Sequence, residues 1–338
     1  MMKKPHRLLG IEMRHLAAFD AVVSTGSFAR AAQQLGYTQS AVSLQIAALE
    51  RAAGTRLLER PGGRRPVVTT DAGERMLRHA VRLTAQLQAA DADLTALAEG
   101  TAGTLRVGTF QSVSIRVLPH AVRRLTELRP GLEVRLQEAA YEDELLALVE
   151  RGRLDFTFAL VPPEGPFEHI ELVRDNYVLL TQAGTALAQR ESAPTLAEIG
   201  RLPLVAYSRS TYGIEALLRS RGIEPHVVFR SDESGAVQRM VAAGIGSALI
   251  PRLAIDRSIR GVVALDASRR VPARQIGLAW HRDATLPEAA EDFVAVVRGR
   301  CDELTELLKL PPYGATGAIE ESCACELECS PAEGTAPG

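Results

Sequence analysis

The sequence predicts a protein of mixed class, α followed by α/β, with an all-helical N-terminal segment and a larger α/β body. Residues 14–94 carry apolar residues at helical spacing almost throughout. Past Gly103, short apolar or β-branched runs alternate with helical segments, which is typical of α/β architecture with largely parallel sheets. A chain of 338 residues exceeds what one hydrophobic core usually serves, so we expect two or three domains.

Composition and charge narrow the class of protein. Hydrophobic residues make up 46% of the chain and charged residues 24%, which excludes wholesale disorder. The net charge of −2 conceals an asymmetry, because residues 1–82 hold 13 Lys and Arg against 6 Asp and Glu. A basic N-terminal part joined to an acidic body indicates a polyanionic partner at one end of the molecule.

Segments that would target the chain to a membrane are not apparent in the sequence. No run approaches ~18 uninterrupted apolar residues, and the run Leu8–Ile11 is too short for a signal peptide. Four cysteines, three of them near the C-terminus, provide no disulfide framework for a chain of this size. We therefore expect a cytoplasmic protein without a membrane partner.

The N-terminal segment is predicted to begin with three helices. Ser27 and Thr38 each precede an apolar stripe and can serve as N-caps, whose hydroxyls accept hydrogen bonds from amides of the first turn. Gly36 is predicted to end the second helix, so the second and third helices form a helix-turn-helix. The stripes consist of Leu16, Phe19, Val22 and Val23, then Phe28, Ala31, Ala32 and Leu35, then Val42, Ile46 and Leu49.

The polar face of the third helix predicts contact with DNA. A helix that enters the major groove needs small residues near its start, so that its backbone approaches the base edges. Gln39 and Ser43 can hydrogen-bond to bases, whereas Ser40 and the helix N-terminus can meet a phosphate. The predicted DNA-binding residues of the helices are Ser27, Gln39, Ser40, Ser43, Leu44 and Ala47.

A small hairpin is predicted to follow, over residues 54–70. Arg64 and Arg65 at its tip suit a phosphate backbone or a narrow minor groove. With this hairpin, residues 13–70 form a winged helix-turn-helix that binds double-stranded DNA. A solvated helical hairpin with two surface arginines is the alternative, and the series of motifs together with the basic charge favours DNA.

A long helix is predicted from Asp71 to about residue 100. Its apolar edge extends over about seven turns, too far to pack only within a small N-terminal domain. We expect this linker helix to pair with its copy in a homodimer; packing across a small domain is the alternative. The edge consists of Met76, Leu77, Ala80, Leu83, Leu87, Leu94 and Leu97.

Residues 13–77 closely resemble the N-terminal domain of LysR-type transcriptional regulators, and the resemblance extends to about Leu310. Leu44 stands where the family usually has Arg, Gln or His, which removes one polar contact, and Leu58 stands where Phe is common. Residues 1–12 precede the family's usual start, which makes Met13 a candidate initiator. The matching residues are Phe19, Gly26, Ser27, Ala31, Ala32, Leu35, Gln39, Ser40, Ala41, Val42, Ser43, Ile46, Leu49, Glu50, Gly54, Leu57, Arg60, Thr69, Ala72 and Gly73.

The resemblance implies a two-lobed α/β effector domain over residues 104–310, similar to a periplasmic binding protein. One lobe would comprise residues 104–174 and 272–310, and the other residues 175–271. It also implies homodimers that assemble into homotetramers on promoter DNA, and a small-molecule effector that modulates transcription. The tail, residues 311–338, is expected to be disordered.

The predicted strand ends indicate where the effector binds. Open parallel sheets place ligands beyond the carboxyl ends of their strands. Ser112 stands where the family most often places an effector-binding hydroxyl. Glu142 stands where many relatives carry Ser or Thr, and two interpretations stay open: it contacts a cationic or hydroxyl group of the ligand, or it stabilises a helix dipole. The predicted effector-binding residues are Ser112, Val113, Glu142, Tyr207, Ser208 and Asp232.

An enzyme would need a nucleophile, an acid–base pair or a metal cluster, and none stands out in the sequence. We therefore expect no catalytic residues, no cofactor and no metal site. Cys323, Cys325 and Cys329 can bind a soft metal, but a fourth ligand is absent nearby. The alternative to a regulator is a small-molecule-binding protein or enzyme whose N-terminal unit serves dimerisation or protein interaction.

Overall fold

The computed structural model describes residues 7–59, 66–99, 103–190, 193–208 and 214–309. These residues divide into two compact units. The first consists of the described residues up to Asp175 together with Ala273–Lys309, and the second is Asn176–Pro272. Arg64 and Arg65 of the predicted hairpin tip and the tail with its three cysteines lie outside the described residues.

Helices α1 (Met13–Thr25), α2 (Phe28–Leu35) and α3 (Gln39–Ala53) open the first unit. The hydroxyl of Ser27 accepts a hydrogen bond from the amide of Arg30 at 3.4 Å, and that of Thr38 accepts one from the amide of Ala41 at 3.2 Å. Gly36, with φ of +70°, ends α2 in the left-handed conformation. The predicted apolar stripes meet in one core, which confirms the helical periodicity.

The hairpin is short and closely tied to the helices. Strand β1 (Leu58–Glu59) pairs antiparallel with β2 (Val68–Thr69). Glu50 Oε1 on α3 accepts hydrogen bonds from the amides of Leu57 and Leu58, at 2.8 and 3.2 Å. The carboxylate therefore fixes the first strand to the end of the helix before it.

Helix α4 (Asp71–Glu99) begins against this strand. Gly73 has no room for a side chain, because a Cβ there would lie 2.0 Å from the carbonyl oxygen of Leu57. The first part of the helix packs on the N-terminal core, in which Ala80 is fully buried. Farther along, Leu83, Leu87 and Leu94 are 47%, 51% and 66% exposed, so this part of the apolar edge faces solvent in the single chain.

The remaining elements alternate between strands and helices as predicted. The strands are β3 (Thr104–Thr109), β4 (Glu133–Glu138), β5 (Phe156–Leu160), β6 (Phe167–Asp175), β7 (Tyr177–Gln182), β8 (Pro203–Ala206), β9 (His226–Arg230), β10 (Ala248–Pro251), β11 (Val262–Asp266) and β12 (Arg274–His281). The helices are α5 (Gln111–Arg116), α6 (Leu118–Leu128), α7 (Glu142–Glu150), α8 (Leu196–Ile199), α9 (Ile214–Ser220), α10 (Ser234–Ala242) and α11 (Ala290–Lys309).

Each unit is built on its own sheet. In the first unit the strand order is β4-β3-β5-β12-β6. In the second, β7 lies between β10 and β11, and β8 pairs with β9. A parallel bridge between Leu204 and Ser247 connects these two groups of strands.

The expectation of largely parallel sheets is wrong, because the five-stranded sheet of the first unit is mixed and the three-stranded sheet of the second unit is antiparallel. Strand β3 runs parallel to β4 and β5, but β12 runs antiparallel to β5 and β6. In the second unit β7 is antiparallel to both neighbours. The chain leaves the first sheet at Asp175 and returns at Arg274, its partner in the β6–β12 register. Exit and return therefore lie at the same end of the strands, so β12 must run antiparallel to β6.

None of the helices in the described part of the chain combines the length and the apolar character needed to cross a bilayer.

Candidate DNA-contacting face and effector-binding residues

Helix α3 presents one face to its own core and another to solvent. Val42, Ile46 and Leu49 are fully buried. The predicted contact positions 39, 40, 43, 44 and 47 fall within an arc of about 140°, at about 100° per residue, that does not overlap the arc of the buried residues. Gln39 and Ser40 are exposed, and Ser43 and Ala47 are half-buried. The face is therefore accessible and has small side chains.

Leu44 is the large apolar side chain of this face and is 69% exposed. The other predicted contact residues of this face are Gln, Ser and Ala. An exposed leucine among them is suited to contact an apolar group, such as the methyl of a thymine in the major groove. Leu44 therefore offers an apolar contact at the position where the family usually has a polar side chain.

The start of α3 combines two hydroxyls and an aromatic ring. The hydroxyls of Thr38 and Ser40 lie 3.0 Å apart, so Ser40 is hydrogen-bonded to the residue that caps its own helix. Tyr37, in the turn before this cap, is 48% exposed. Tyr37 was not among the predicted contact residues, although a large aromatic residue in the turn of a helix-turn-helix is a candidate for contact with DNA.

In the first unit, Ser112 lies at the carboxyl end of β3 but is not a free hydroxyl. It is 5% exposed, and Arg274 Nη2 donates a hydrogen bond to its Oγ at 2.7 Å. The same guanidinium forms a buried ion pair with Asp175, with Nε 2.8 Å and Nη2 2.7 Å from Oδ2. It also lies over the ring of Phe110, 5.4 Å from the centroid. Ser112 is therefore part of the ion pair that joins β6 to β12.

Glu142, the first residue of α7, accepts a hydrogen bond outside its own helix. Its Oε1 lies 2.8 Å from the amide nitrogen of Leu160, the last residue of β5. Burial raises the pKa of this carboxyl to about 7, against the opposing effects of the Leu160 amide and of the Arg274 charge. The carboxylate is thus at the carboxyl end of a strand, where the sequence predicted it, and in an environment that disfavours its charge.

Val113 differs from its expected role. Its side chain is fully buried, and its amide donates to the carbonyl of Phe110 at 2.9 Å. Helix α5 turns this side chain into the core while Ser112 faces Arg274, and the effector contact expected at Val113 stays a prediction.

In the second unit, the predicted residues at the ends of β8 and β9 come together. The amide of Ser208 donates to Asp232 Oδ1 at 3.3 Å, and the hydroxyl of Tyr207 lies 3.0 Å from that of Ser234. Ser234 is buried at the start of α10; it was not among the predicted effector-binding residues, although it follows Asp232 by two residues. Arg230 reinforces this edge through the carbonyl of Tyr207, at 3.0 Å, and an ion pair with Glu215.

Candidate metal ligands do not converge in the part of the chain that the structure describes: no group of three His, Cys, Asp or Glu side chains there is arranged to hold an ion. His281 is buried in β12, and its Nδ1 accepts a hydrogen bond from the amide of Asp283 at 3.1 Å. Burial lowers the pKa of this imidazole.

Two family models match the chain. The model described as bacterial regulatory helix-turn-helix protein, lysR family, matches residues 13–74, and the model described as LysR substrate binding domain matches residues 98–302. The chain belongs to the LysR family. It is a LysR-type DNA-binding transcriptional regulator with an effector-binding domain.

Individual relatives extend over most of this regulator. The uncharacterized HTH-type transcriptional regulator YfeR of Shigella flexneri is 29% identical over 299 residues, 88% of this chain and 96% of that protein. The probable HTH-type transcriptional regulator LrrA of Synechococcus elongatus is 34% identical over 248 residues, 72% of this chain and 82% of that protein. A solved C206 mutant of OxyR from Corynebacterium glutamicum is 26% identical with a TM-score of 0.56, covering 88% of this chain and 94% of that one.

LysR regulators bind promoter DNA and small-molecule effectors. In this regulator the helix-turn-helix model matches the N-terminal helices, which therefore bind DNA. The substrate-binding model matches the α/β body, which therefore binds the effector.

Proposed function

We propose that α3 is the recognition helix of this regulator and that Gln39, Ser43 and Leu44 contact base edges in the major groove. Ser27 and Ser40, at the starts of α2 and α3, would approach phosphates, and Ala47 would let the helix lie close to the bases. The observation that carries this proposal is the accessible, small-residue face of α3 opposite a fully buried stripe. Arg64 and Arg65 would add contacts from the hairpin.

Phosphate contacts would make the binding depend steeply on salt. Each Lys or Arg that neutralises a phosphate releases counterions, so affinity falls with increasing salt concentration. The basic balance of residues 1–82 supports such contacts. A steep loss of affinity between low and physiological salt is expected in a titration of duplex DNA. A chain without duplex affinity at low salt would instead favour an N-terminal module for protein interaction.

Base reading by α3 is tested with Gln39→Ala on an operator selected from a pool of random duplexes. The loss should be about 1–3 kcal/mol on the operator and smaller on unrelated duplexes, because only base contacts are specific. Gln33→Ala is the matched control, since Gln33 is an exposed glutamine on α2. An equal loss on operator and unrelated DNA would mean that Gln39 only positions the backbone.

We also propose that α4 pairs two copies of the chain into a homodimer, and that dimers assemble into a homotetramer that acts on promoter DNA in the cytoplasm. Leu83, Leu87 and Leu94 support this, because their exposed side chains recur on one side of the helix. Two facing copies of such a stripe would bury it.

Pairing through α4 is tested with Leu87→Glu, which would place a charge in the buried stripe. We expect the variant to sediment as a monomer at concentrations where the parent protein is a dimer or larger. Thr95→Glu introduces the same charge at an exposed position about 100° from the stripe and should leave the mass unchanged. A dimeric Leu87→Glu protein would place the interface elsewhere.

For the effector, we propose that Ser112 and Glu142 contribute contacts from the carboxyl edge of the first unit, and Tyr207, Ser208 and Asp232 contribute contacts from that of the second. Two features support this: both sets follow the carboxyl ends of strands, and each set is held by hydrogen bonds within its own unit. Ligand binding would then shift the population of the protein between conformations with different spacing of the DNA contacts.

A further inference from the structure

A cavity of about 810 Å³ lies in the first unit between α4 and the sheet. Gln86 and Ala90 form its helical wall, and residues from the beginnings of β3 and β5 form the opposite wall. We call it the linker cavity. Arg135, Leu136 and Gln137 of the edge strand β4 extend this wall. Ser112 and Glu142 are not among the lining residues, so the cavity is separate from the proposed effector contacts.

Three arginines line the linker cavity: Arg106, Arg135 and Arg153. Arg106 and Arg135 are partners in the register of the parallel β3–β4 pair, so their side chains leave the same face of the sheet. The one carboxylate in the lining, Asp155, is held by Arg106 at 2.6 Å. Arg135 forms an exposed pair with Glu133 at 2.9 Å, outside the lining. The lining therefore carries more positive than negative charge.

Arg153 has a guanidinium group that is available to bind a ligand. Its exposed guanidinium makes no hydrogen bond and no ion pair with any residue that the structure describes. Hydroxyl and amide groups of Thr104, Gln137 and Thr285 complete the polar part of the lining. The hydroxyl of Thr104 already donates to Glu133 Oε2 at 3.1 Å, whereas the amide of Gln137 and the hydroxyl of Thr285 can donate to the oxygens of a ligand that the guanidinium neutralises.

Charge and size together indicate the class of ligand. Guanidinium groups match carboxylates and phosphates, which they bind by two parallel hydrogen bonds. The volume lies within the range of about 300–1,000 Å³ that is usual for small-molecule sites, and it exceeds the roughly 30 Å³ of a single water many times. We propose that the linker cavity binds a small organic anion with carboxylate or phosphate groups, as a second ligand of this regulator.

The position of the cavity beside α4 allows such a ligand to influence the DNA-binding helices. One turn before Gln86 on α4, Arg82 forms an ion pair with Asp283. That aspartate belongs to the same loop as Thr285 of the lining. An anion held between Gln86 and Arg153 adds a second connection between the linker helix and the α/β body. Its binding free energy would then bias the orientation of α4, which continues from the helix-turn-helix.

The proposal is tested by calorimetric titration of the full chain with citrate and, separately, with inorganic pyrophosphate. Ionic strength is held constant with sodium chloride, so that screening does not imitate binding. Saturable binding of citrate alone assigns a carboxylate ligand, and binding of pyrophosphate alone assigns a phosphate ligand. Arg153→Gln and Arg135→Gln should each weaken binding about tenfold, because each removes a charge-assisted hydrogen bond.

Arg151→Gln is the matched control. Arg151 is exposed, lies two residues from Arg153 and does not line the cavity. Like Arg153, it lowers the pKa of the half-buried Asp20 carboxyl, which burial raises, so both variants lose this interaction. Equal weakening by Arg151→Gln and Arg153→Gln would overturn the proposal, and so would the absence of saturable binding of both anions. The Gln39→Ala protein should bind the anion as the parent does, which separates this test from that of DNA recognition.

Discussion

The exposed face of α3 and the carboxyl edge of the first unit both place polar side chains at the start of a helix, but they differ in how those side chains are bonded. On α3, Gln39 is exposed to solvent, and Ser40 bonds only locally, to Thr38. At the carboxyl edge, Ser112 is buried and bonded to Arg274, 162 residues away in the chain. On a surface that binds a large partner, the polar atoms are solvated by water before the partner binds. In a site for a small ligand, the polar side chains are held in place by hydrogen bonds within the protein.

This difference predicts that substitutions in the two regions affect different properties of the protein. Changes on the α3 face should alter affinity for DNA with little effect on the free energy of unfolding, because the replaced groups are already solvated. Changes at the carboxyl edge should alter stability and effector response together, because we propose that the groups bonded within this unit also contact the effector.

The largest effect is expected for Arg274→Met. It leaves Asp175 fully buried without its cation, and breaking a buried pair in this way costs about 3–5 kcal/mol. Urea unfolding of the purified protein measures the loss. Arg124→Gln on α6 is the control, because its pair with Glu127 is exposed and contributes little. Similar stability of the two variants would mean that the ion pair between β6 and β12 does not hold the edge together.

The second prediction concerns pH and Glu142. Its pKa in the folded protein is about 7, above the ordinary value of 4.5, so the folded state binds the proton more tightly than the unfolded state. The associated stability is fully present below pH 4.5 and is lost as the pH rises through 7. Because the residue is only half-buried, we expect the loss to be about 2 kcal/mol rather than the full value of the shift.

Glu142→Gln should remove this dependence. The variant should gain stability over the parent as the pH rises from 5 to 8, measured as the difference between their urea midpoints at each pH. The helix-dipole interpretation gives the opposite sign, because an acid stabilised by a helix N-terminus has a lowered pKa. A variant that becomes less stable than the parent at pH 8 would therefore restore that interpretation.

The two regions also differ in how far the sequence predicts them. The caps Ser27 and Thr38, the left-handed Gly36 and the buried stripes of the N-terminal helices depend on contacts within a few residues, and the structure confirms them. The effector side chains were predicted from a rule about parallel sheets; β3 is parallel to β4 and β5 although the sheet is mixed, and the ligand contacts themselves stay predictions.

Long-range pairing explains what the sequence did not predict. Arg274 was not singled out, because its partner Asp175 is 99 residues away and no local pattern connects them. The direction of β12 depends on the edge at which the chain re-enters the first sheet, which periodicity does not encode. Val113 was assigned with its neighbour Ser112, and only the orientation of α5 separates a core residue from a polar one.

The smallest effect is expected for Ser112→Ala, which separates the structural from the ligand-binding role of this hydroxyl. The substitution removes one hydrogen bond from Arg274 but leaves the ion pair with Asp175, so the stability cost should be about 1.5 kcal/mol. An effector identified by thermal shift should stabilise this variant less than the parent, while operator binding without effector stays unchanged. Ser114→Ala is the control, since Ser114 lies on the same helix and contacts Thr109 at 3.4 Å. If the effector stabilises the Ser112→Ala protein as strongly as the parent, the hydroxyl serves only Arg274, and the contact with the ligand must come from Glu142 or from the second unit.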